Sequence, residues 1–420
     1  FSMGGGTYTG IEAISNGLQI LREPRVQTGR RTMVYIATSL SLTAGGLILC
    51  YLLAGVHRVP GRTLNAVLTE KLSAEAFGPG SLAGGFLLLT LIAEGALLFV
   101  GAQAGFLDGP RVLSNMAIDS WVPHRFSLLS DRLVTQNGIL VMGGAAIGIL
   151  LYTGGSIDVI VVMYSINVFL TFSLSQLGMC VHWWKVKEED AAWKRHLAIN
   201  GLGLVLTATL LVATTLMKFR EGGWVTVLIT GTLVAACVLM RRHYSSIRLY
   251  LKRTDDVLTT LKPPKRDSAV LPKIEPPSRG TPTAVFLVSG FNGLGMHSFL
   301  NVQRYFPGYF RHCIFLSVGV VDSASFKGAK EIENLRRETE RDLVRYVEFA
   351  RGNGFAAEHQ MAVGNDLLDE LFELCRKVRE EWDRPIFFMS KLVFPKENAL
   401  NRLLHNQTPF ALQRRLQMEG

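Results

Sequence analysis

Residues 81–107, SLAGGFLLLTLIAEGALLFVGAQAGFL, decide the fold, because Glu94 is the one ionisable side chain in the stretch. A helix rises about 1.5 Å per residue and crosses about 30 Å of hydrocarbon in about twenty residues, so this run is long enough to span a bilayer. Five more apolar runs lie outward from it, at 33–56, 138–153, 159–182, 197–217 and 222–240. The run at 138–153 reaches spanning length only if its start is drawn back toward Val134. Strands of a membrane barrel would alternate in segments of about ten residues, and no such alternation occurs.

Charge divides the 420 residues into two regions with different solvents. The first 250 carry 19 Lys and Arg against 13 Asp and Glu, and the last 170 carry 25 against 21. The net excess of +10 is not gathered into a basic stripe interleaved with aromatics, which argues against nucleic acid as a partner. Cys50, Cys180, Cys237, Cys313 and Cys375 are solitary and odd in number, so neither a disulfide framework nor metal-ligand spacing is present. His297, His312 and His359 fall on different predicted elements and suit surface or packing roles.

Loop charge gives an orientation. Placing 20–32, 108–137 and 183–196 in the cytoplasm gathers eleven Lys and Arg there against five in the opposite loops. The carboxyl-terminal region then lies in the cytoplasm. Residues 64–77 have helical spacing but are too short and charged to span, and are expected on the outer surface. Trp121 and Pro123 in the 108–137 loop read as an interfacial turn.

Between Lys252 and Pro282 the chain is rich in Pro, Lys and Asp, so residues 251–282 are expected to be a linker and 283–420 a separate domain. Strands are predicted at 283–289, 312–320, 354–361 and 385–392, with helices at 293–305, 328–351, 366–381 and 396–405. That alternation specifies a doubly wound α/β domain with a mostly parallel sheet. Gly290, Gly293 and Gly295 follow its first strand, where backbone amides could hold the phosphate of a regulatory nucleotide, or simply permit a tight turn. The last residues form a helix and a turn, as if the domain were cut before its final strand.

The opening FSMGGGTYTGIEA lacks a secretory signal and reads like the middle of a longer chain. Gly4, Gly5, Gly6 and Gly10 surround Thr7, Tyr8 and Thr9. Such a run breaks a helix, and freed backbone groups inside lipid need partners, either a polar solute or a closely packed helix. Carbonyls at a break bind cations, while the amino end of the second half-helix attracts carboxylates. Glu12 and Glu94 are candidate proton carriers or helix-pairing residues. In 159–182, Tyr164, Asn167 and Thr171 recur at three- and four-residue steps and share one face that could line a permeation route. Ser and Thr hydroxyls in such a span ordinarily satisfy their own helix backbone.

The strings GTYTGIEAISNG, MAIDSWVPHRFSLLSDRLVTQNG and VVMYSINVFLTFSLSQLGM, in that order, resemble the amino acid-polyamine-cation (APC) superfamily of secondary transporters, and within it the branch of KimA-type potassium importers. The resemblance implies a polytopic α-helical membrane protein with a LeuT-like inverted-repeat fold, here incomplete and starting inside the sixth span. Gly10, Ile11 and Glu12 match the Gly-x-Glu of that span, and Gly5, Gly6, Thr7, Tyr8, Thr9, Gly10, Tyr164 and Asn167 become expected substrate contacts. Thr7, Thr9 and Tyr164 would give oxygens to a transported potassium ion. The α/β domain resembles a universal stress protein. The implied activity is proton-coupled uptake of a small cation across the bacterial inner membrane by a homodimer. It requires no cofactor, and a nucleotide on the cytoplasmic domain would be regulatory. An amino acid permease on the same scaffold is the alternative. A membrane-anchored sensor has no use for GGGTYTG or Glu94, and an enzyme would need a nucleophile and base that the sequence does not display.

Overall fold

The computed structural model describes residues 21–78, 80–261, 277–323, 329–393, 404–405 and 408–418. The chain divides into two compact units, one made of Phe1–Gly109 with Ile139–Ala235 and the other of Pro110–Gly138 with Ala236–Gly420.

Among the described residues, six helices are long and apolar enough to cross a membrane: α1 (Arg25–Leu53), α3 (Ser81–Ile118), α4 (Gln136–Thr153), α5 (Ile157–Lys185), α6 (Trp193–Met217) and α7 (Gly223–Leu258). All six apolar runs are helical. Between α1 and α3 lies α2 (Leu64–Phe77), started by the Thr63 side chain accepting from the Ala66 N–H at 3.1 Å. Several threonines within the spans satisfy themselves by donating to the carbonyl four residues back, as Thr90 does to Phe86 at 3.0 Å and Thr209 to Val205 at 2.7 Å.

The most embedded span is α5, which buries Val162, Met163, Ser165, Ile166, Val168, Phe169 and Ser173. It runs antiparallel to α6, with Gln176 packed where a Cβ on Gly203 would sit and Val159 close to Gly222 at the other end. The last span is longer than its apolar run. Arg241 and Arg242 mark a change of solvent, not of conformation, and helix-forming residues carry α7 on to Leu258, into the stretch expected to be linker.

In the second unit, β1 (Thr283–Leu287), β2 (His312–Val320), β3 (Ala356–Gly364) and β4 (Pro385–Met389) form a parallel sheet of order β3-β2-β1-β4. Helices cover both faces. On one, α8 (Gly293–Tyr305) and α9 (Ala329–Gly352) bury Phe286, Met296, Phe299, Phe315, Leu343 and Tyr346. On the other, α10 (Leu367–Glu381) and α11 (Thr408–Met418) close over Val285, Ile314, Leu316, Phe372, Cys375 and Leu412. Every β1 side chain is buried, as a central parallel strand requires. The helix expected at 396–405 falls almost wholly outside the described residues.

The turn at Trp121 and Pro123 belongs to this unit. Arg241 lies over the Trp121 ring at 4.0 Å, Leu128 bridges to Asp322 in antiparallel fashion, and Val122 is buried.

Candidate functional site

The expected contacts Gly5, Gly6, Thr7, Tyr8, Thr9 and Gly10, with Glu12, lie outside the described residues. Among the described ones, the site is carried by α5. Tyr164, Asn167 and Thr171 stand on its exposed face, opposite the side chains it buries, as their spacing requires. Asn167 uses its amide to donate to its own Met163 carbonyl at 3.2 Å, and its Oδ1 accepts from Thr230 of α7 at 2.9 Å. Thr171 donates to the Asn167 carbonyl at 2.9 Å, the self-satisfying bond open to any threonine in a span. The result is a stripe of neutral oxygens with no carboxylate in it, in which Asn167 is oriented from a second helix. Thr230 went unrecognised because cross-helix pairing leaves no periodic mark.

Glu94 sits within α3 and is half-buried, within electrostatic reach of the Tyr51 hydroxyl. Tyr51 itself donates to Asn65 Oδ1 on α2. The Tyr51 hydroxyl thus joins α1 to the Asn65 amide of α2, with the Glu94 carboxylate of α3 within its electrostatic range.

A second feature has no precursor in the periodicity. Where α4 ends, α5 begins and the turn before α7 returns, Tyr152, Asp158, Arg220, Glu221 and Trp224 line an open cavity of about 550 Å³. Asp158 and Glu221 against Arg220 give the cavity both charge signs, and Lys218 pairs with Glu221 at 2.6 Å.

In the α/β domain the three glycines are accounted for by packing. Gly290 has φ +75°, a left-handed conformation that favours glycine. A Cβ on Gly293 would lie 2.8 Å from the Thr254 carbonyl, and one on Gly295 would collide with the Tyr346 hydroxyl. The amides themselves are engaged. Gly293 N–H donates to Asp255 Oδ1 at 2.6 Å, Gly295 N–H to Asn292 Oδ1 at 2.9 Å, and Asn292 N–H to the Tyr346 oxygen at 3.2 Å. Burial pushes the Tyr346 hydroxyl up to about 12, which keeps it neutral. A cavity of about 160 Å³ opens at the carboxyl ends of the strands, bordered by Ser289, Asn292, Gly295 and Ser390. A nucleotide phosphate at the start of α8 would have to displace the Asp255 carboxylate.

Around the end of α7, Tyr244 donates to the Leu404 carbonyl at 3.0 Å, His243 Nε2 and His405 Nε2 lie 3.0 Å apart, and Arg248 reaches Ser120 Oγ at 3.3 Å. Burial, then the Arg248 guanidinium, holds His124 below the ordinary histidine value. Ser323 N–H donates to the Ser127 carbonyl at 3.1 Å and Asn365 to Asp131 at 3.1 Å. The loop between α3 and α4 is thus tied to the residues that follow β2 and β3.

No protein-family model matches the chain. Over 255 residues it is 27% identical to the potassium transporter KimA of Bacillus subtilis (strain 168), a match covering 61% of this chain and 40% of the relative. The chain spans well under two thirds of the length of the curated relative it matches.

Proposed function

We propose that the protein takes part in potassium uptake across the bacterial inner membrane, as a proton-coupled importer of the APC superfamily working by alternating access. The observation that carries this reading is the 27% identity to a potassium transporter over most of the chain. The chemistry of the described stripe supports it. Tyr164, Asn167 and Thr230 offer neutral oxygens, which suit a weakly hydrated monovalent cation that must bind and leave. By the family resemblance, Thr7 and Thr9 together with Tyr164 would give oxygens to the cation, and Gly5, Gly6, Tyr8 and Gly10 would belong to the same site. Glu94, an ionisable group within an apolar span, is the described candidate for carrying the coupled proton, with Glu12 as its counterpart in the opening segment. In this orientation the α/β domain faces the cytoplasm and two copies assemble as a homodimer. A nucleotide acting on that domain would regulate uptake, not take part in it.

Rubidium uptake into liposomes by the full-length protein tests the reading. Uptake should accelerate when the outside is made acidic, and Glu94→Gln should abolish that acceleration. Tyr164→Phe should raise the half-saturating rubidium concentration by about tenfold, the loss of roughly one good ligand. Uptake indifferent to potassium but competed by free amino acids would overturn the cargo.

A further inference from the structure

The turn joining α5 to α6 carries an arrangement that neither the fold nor ion conduction uses. Trp183 stacks on His196 with ring centroids 4.4 Å apart, closing the ends of the two helices on each other. Just outside that stack, Trp184 and Trp193 meet edge to face at 6.2 Å. Each indole carries a lysine, with Lys187 Nζ 5.9 Å from the Trp184 centroid and Lys194 Nζ 5.7 Å from that of Trp193. Trp184 keeps 59% of its surface exposed, and neither lysine pairs with a carboxylate among the described residues. The acidic groups of the turn, Glu188, Glu189 and Asp190, stand at its middle, and Asp190 is occupied accepting from the Ala192 N–H at 2.8 Å. In sequence the acidic run 188–190 lies between Lys185 and Lys187 on one side and Lys194 and Arg195 on the other.

An indole at the end of an apolar span lies at the level of lipid headgroups. An ammonium held over its face at that depth meets phosphate. Two lysines on one aromatic platform, with Lys185 and Arg195 beside them, repel the ammonium of a zwitterionic headgroup and complement a headgroup whose net charge is negative. We propose that Trp184, Lys187, Trp193 and Lys194 form a binding site for an anionic glycerophospholipid of the cytoplasmic leaflet. This rests on α5 and α6 crossing the bilayer with this turn on the cytoplasmic side, and not on the identity of the cargo.

The full-length protein in nanodiscs tests it through tryptophan fluorescence. Acyl-brominated phosphatidylglycerol, as a minor component in phosphatidylcholine, is compared with the same fraction of acyl-brominated phosphatidylcholine. The contribution of Trp184 and Trp193 is isolated by subtracting a Trp184→Phe/Trp193→Phe variant. Each lysine at a headgroup surface favours anionic lipid by about fivefold, so quenching by the phosphatidylglycerol should be at least about twofold stronger. The preference should disappear in Lys187→Gln/Lys194→Gln while quenching by phosphatidylcholine persists. Equal quenching by the two lipids, or a preference that survives the double lysine change, would overturn the site. No quenching by either would remove the turn from the headgroup layer, whatever the rubidium assay returns.

Discussion

His312 shows how one buried side chain sets a pH limit on the α/β domain. It is 2% exposed, its Nδ1 meets the Thr283 hydroxyl at 3.1 Å, and its ring lies 4.2 Å from that of Trp382. Burial lowers its pKa to about 4, and Glu358 at 3.5 Å does not reverse this. Unfolded, the ring takes a proton near pH 6.5, so between about pH 6.5 and 4 the unfolded state binds more protons and stability falls as the medium acidifies. A depression from 6.5 to about 4 corresponds to about 3 kcal/mol once the pH is below both values. Thermal unfolding of the full-length protein, followed by hydrogen exchange in β1 and β2, should lose stability over that window. His312→Gln should be less stable at neutral pH but nearly flat across it; an unchanged slope would place the titration elsewhere. In the membrane unit the corresponding single-residue test is Thr230→Val, which leaves Asn167 Oδ1 without its 2.9 Å donor. If that bond orients a cation ligand, half-saturating rubidium should rise about fivefold with little change in maximal rate.

At the scale of elements, the start of α8 is where local rules and tertiary structure meet. Asn292 caps the helix from within, and Asp255, brought by the extension of α7, supplies a carboxylate to the same end. Asp255→Ala should cost about 1.5–3 kcal/mol, as expected for a hydrogen bond with a charged partner. Gly293→Ala should cost more, because its Cβ would press on the Thr254 carbonyl, so backbone, not a flexible side chain, must move. Amide exchange at Gly293–Gly295 should accelerate in both, and in Asp255→Ala without loss of the sheet. The sequence made much of this region legible. Period-two and period-3.6 patterns give 293–305 and 312–320 as they occur, because a central strand and an amphipathic helix declare their burial in composition. The end of α7 was not legible, since two arginines report where lipid stops and say nothing about where the helix does. Likewise the Tyr164–Asn167–Thr171 face follows from helical geometry, whereas Thr230 and Asp255 come from elements 63 and 38 residues away in the chain and leave no local trace.

At the scale of the whole molecule, the second compact unit is assembled from segments far apart in sequence. The loop 119–131, the end of α7, the residues after β2 and β3, and Leu404–His405 meet in it. Tyr244 is its centre: 8% exposed, packed against His124 at 4.6 Å and bonded to the Leu404 carbonyl. Because this loop joins α3 to α4, anything that loosens the unit frees the connection between two spans. Trypsin reports that freedom directly, since Arg125 and Arg132 are exposed while, between them, Ser323 holds the Ser127 carbonyl and Asn365 the Asp131 side chain. Cleavage of held backbone follows the population of the locally open form, which rises about tenfold for each 1.4 kcal/mol lost. Tyr244→Ala removes a buried aromatic ring and one hydrogen bond and should speed cleavage at these two arginines by at least about tenfold. Tyr244→Phe, which keeps the ring, should speed it by no more than about tenfold. Cleavage at the wild-type rate in Tyr244→Ala would mean that the Tyr244 ring contributes nothing to closing the loop, which is then held by its contacts after β2 and β3 and by Arg241 and Arg248 of α7.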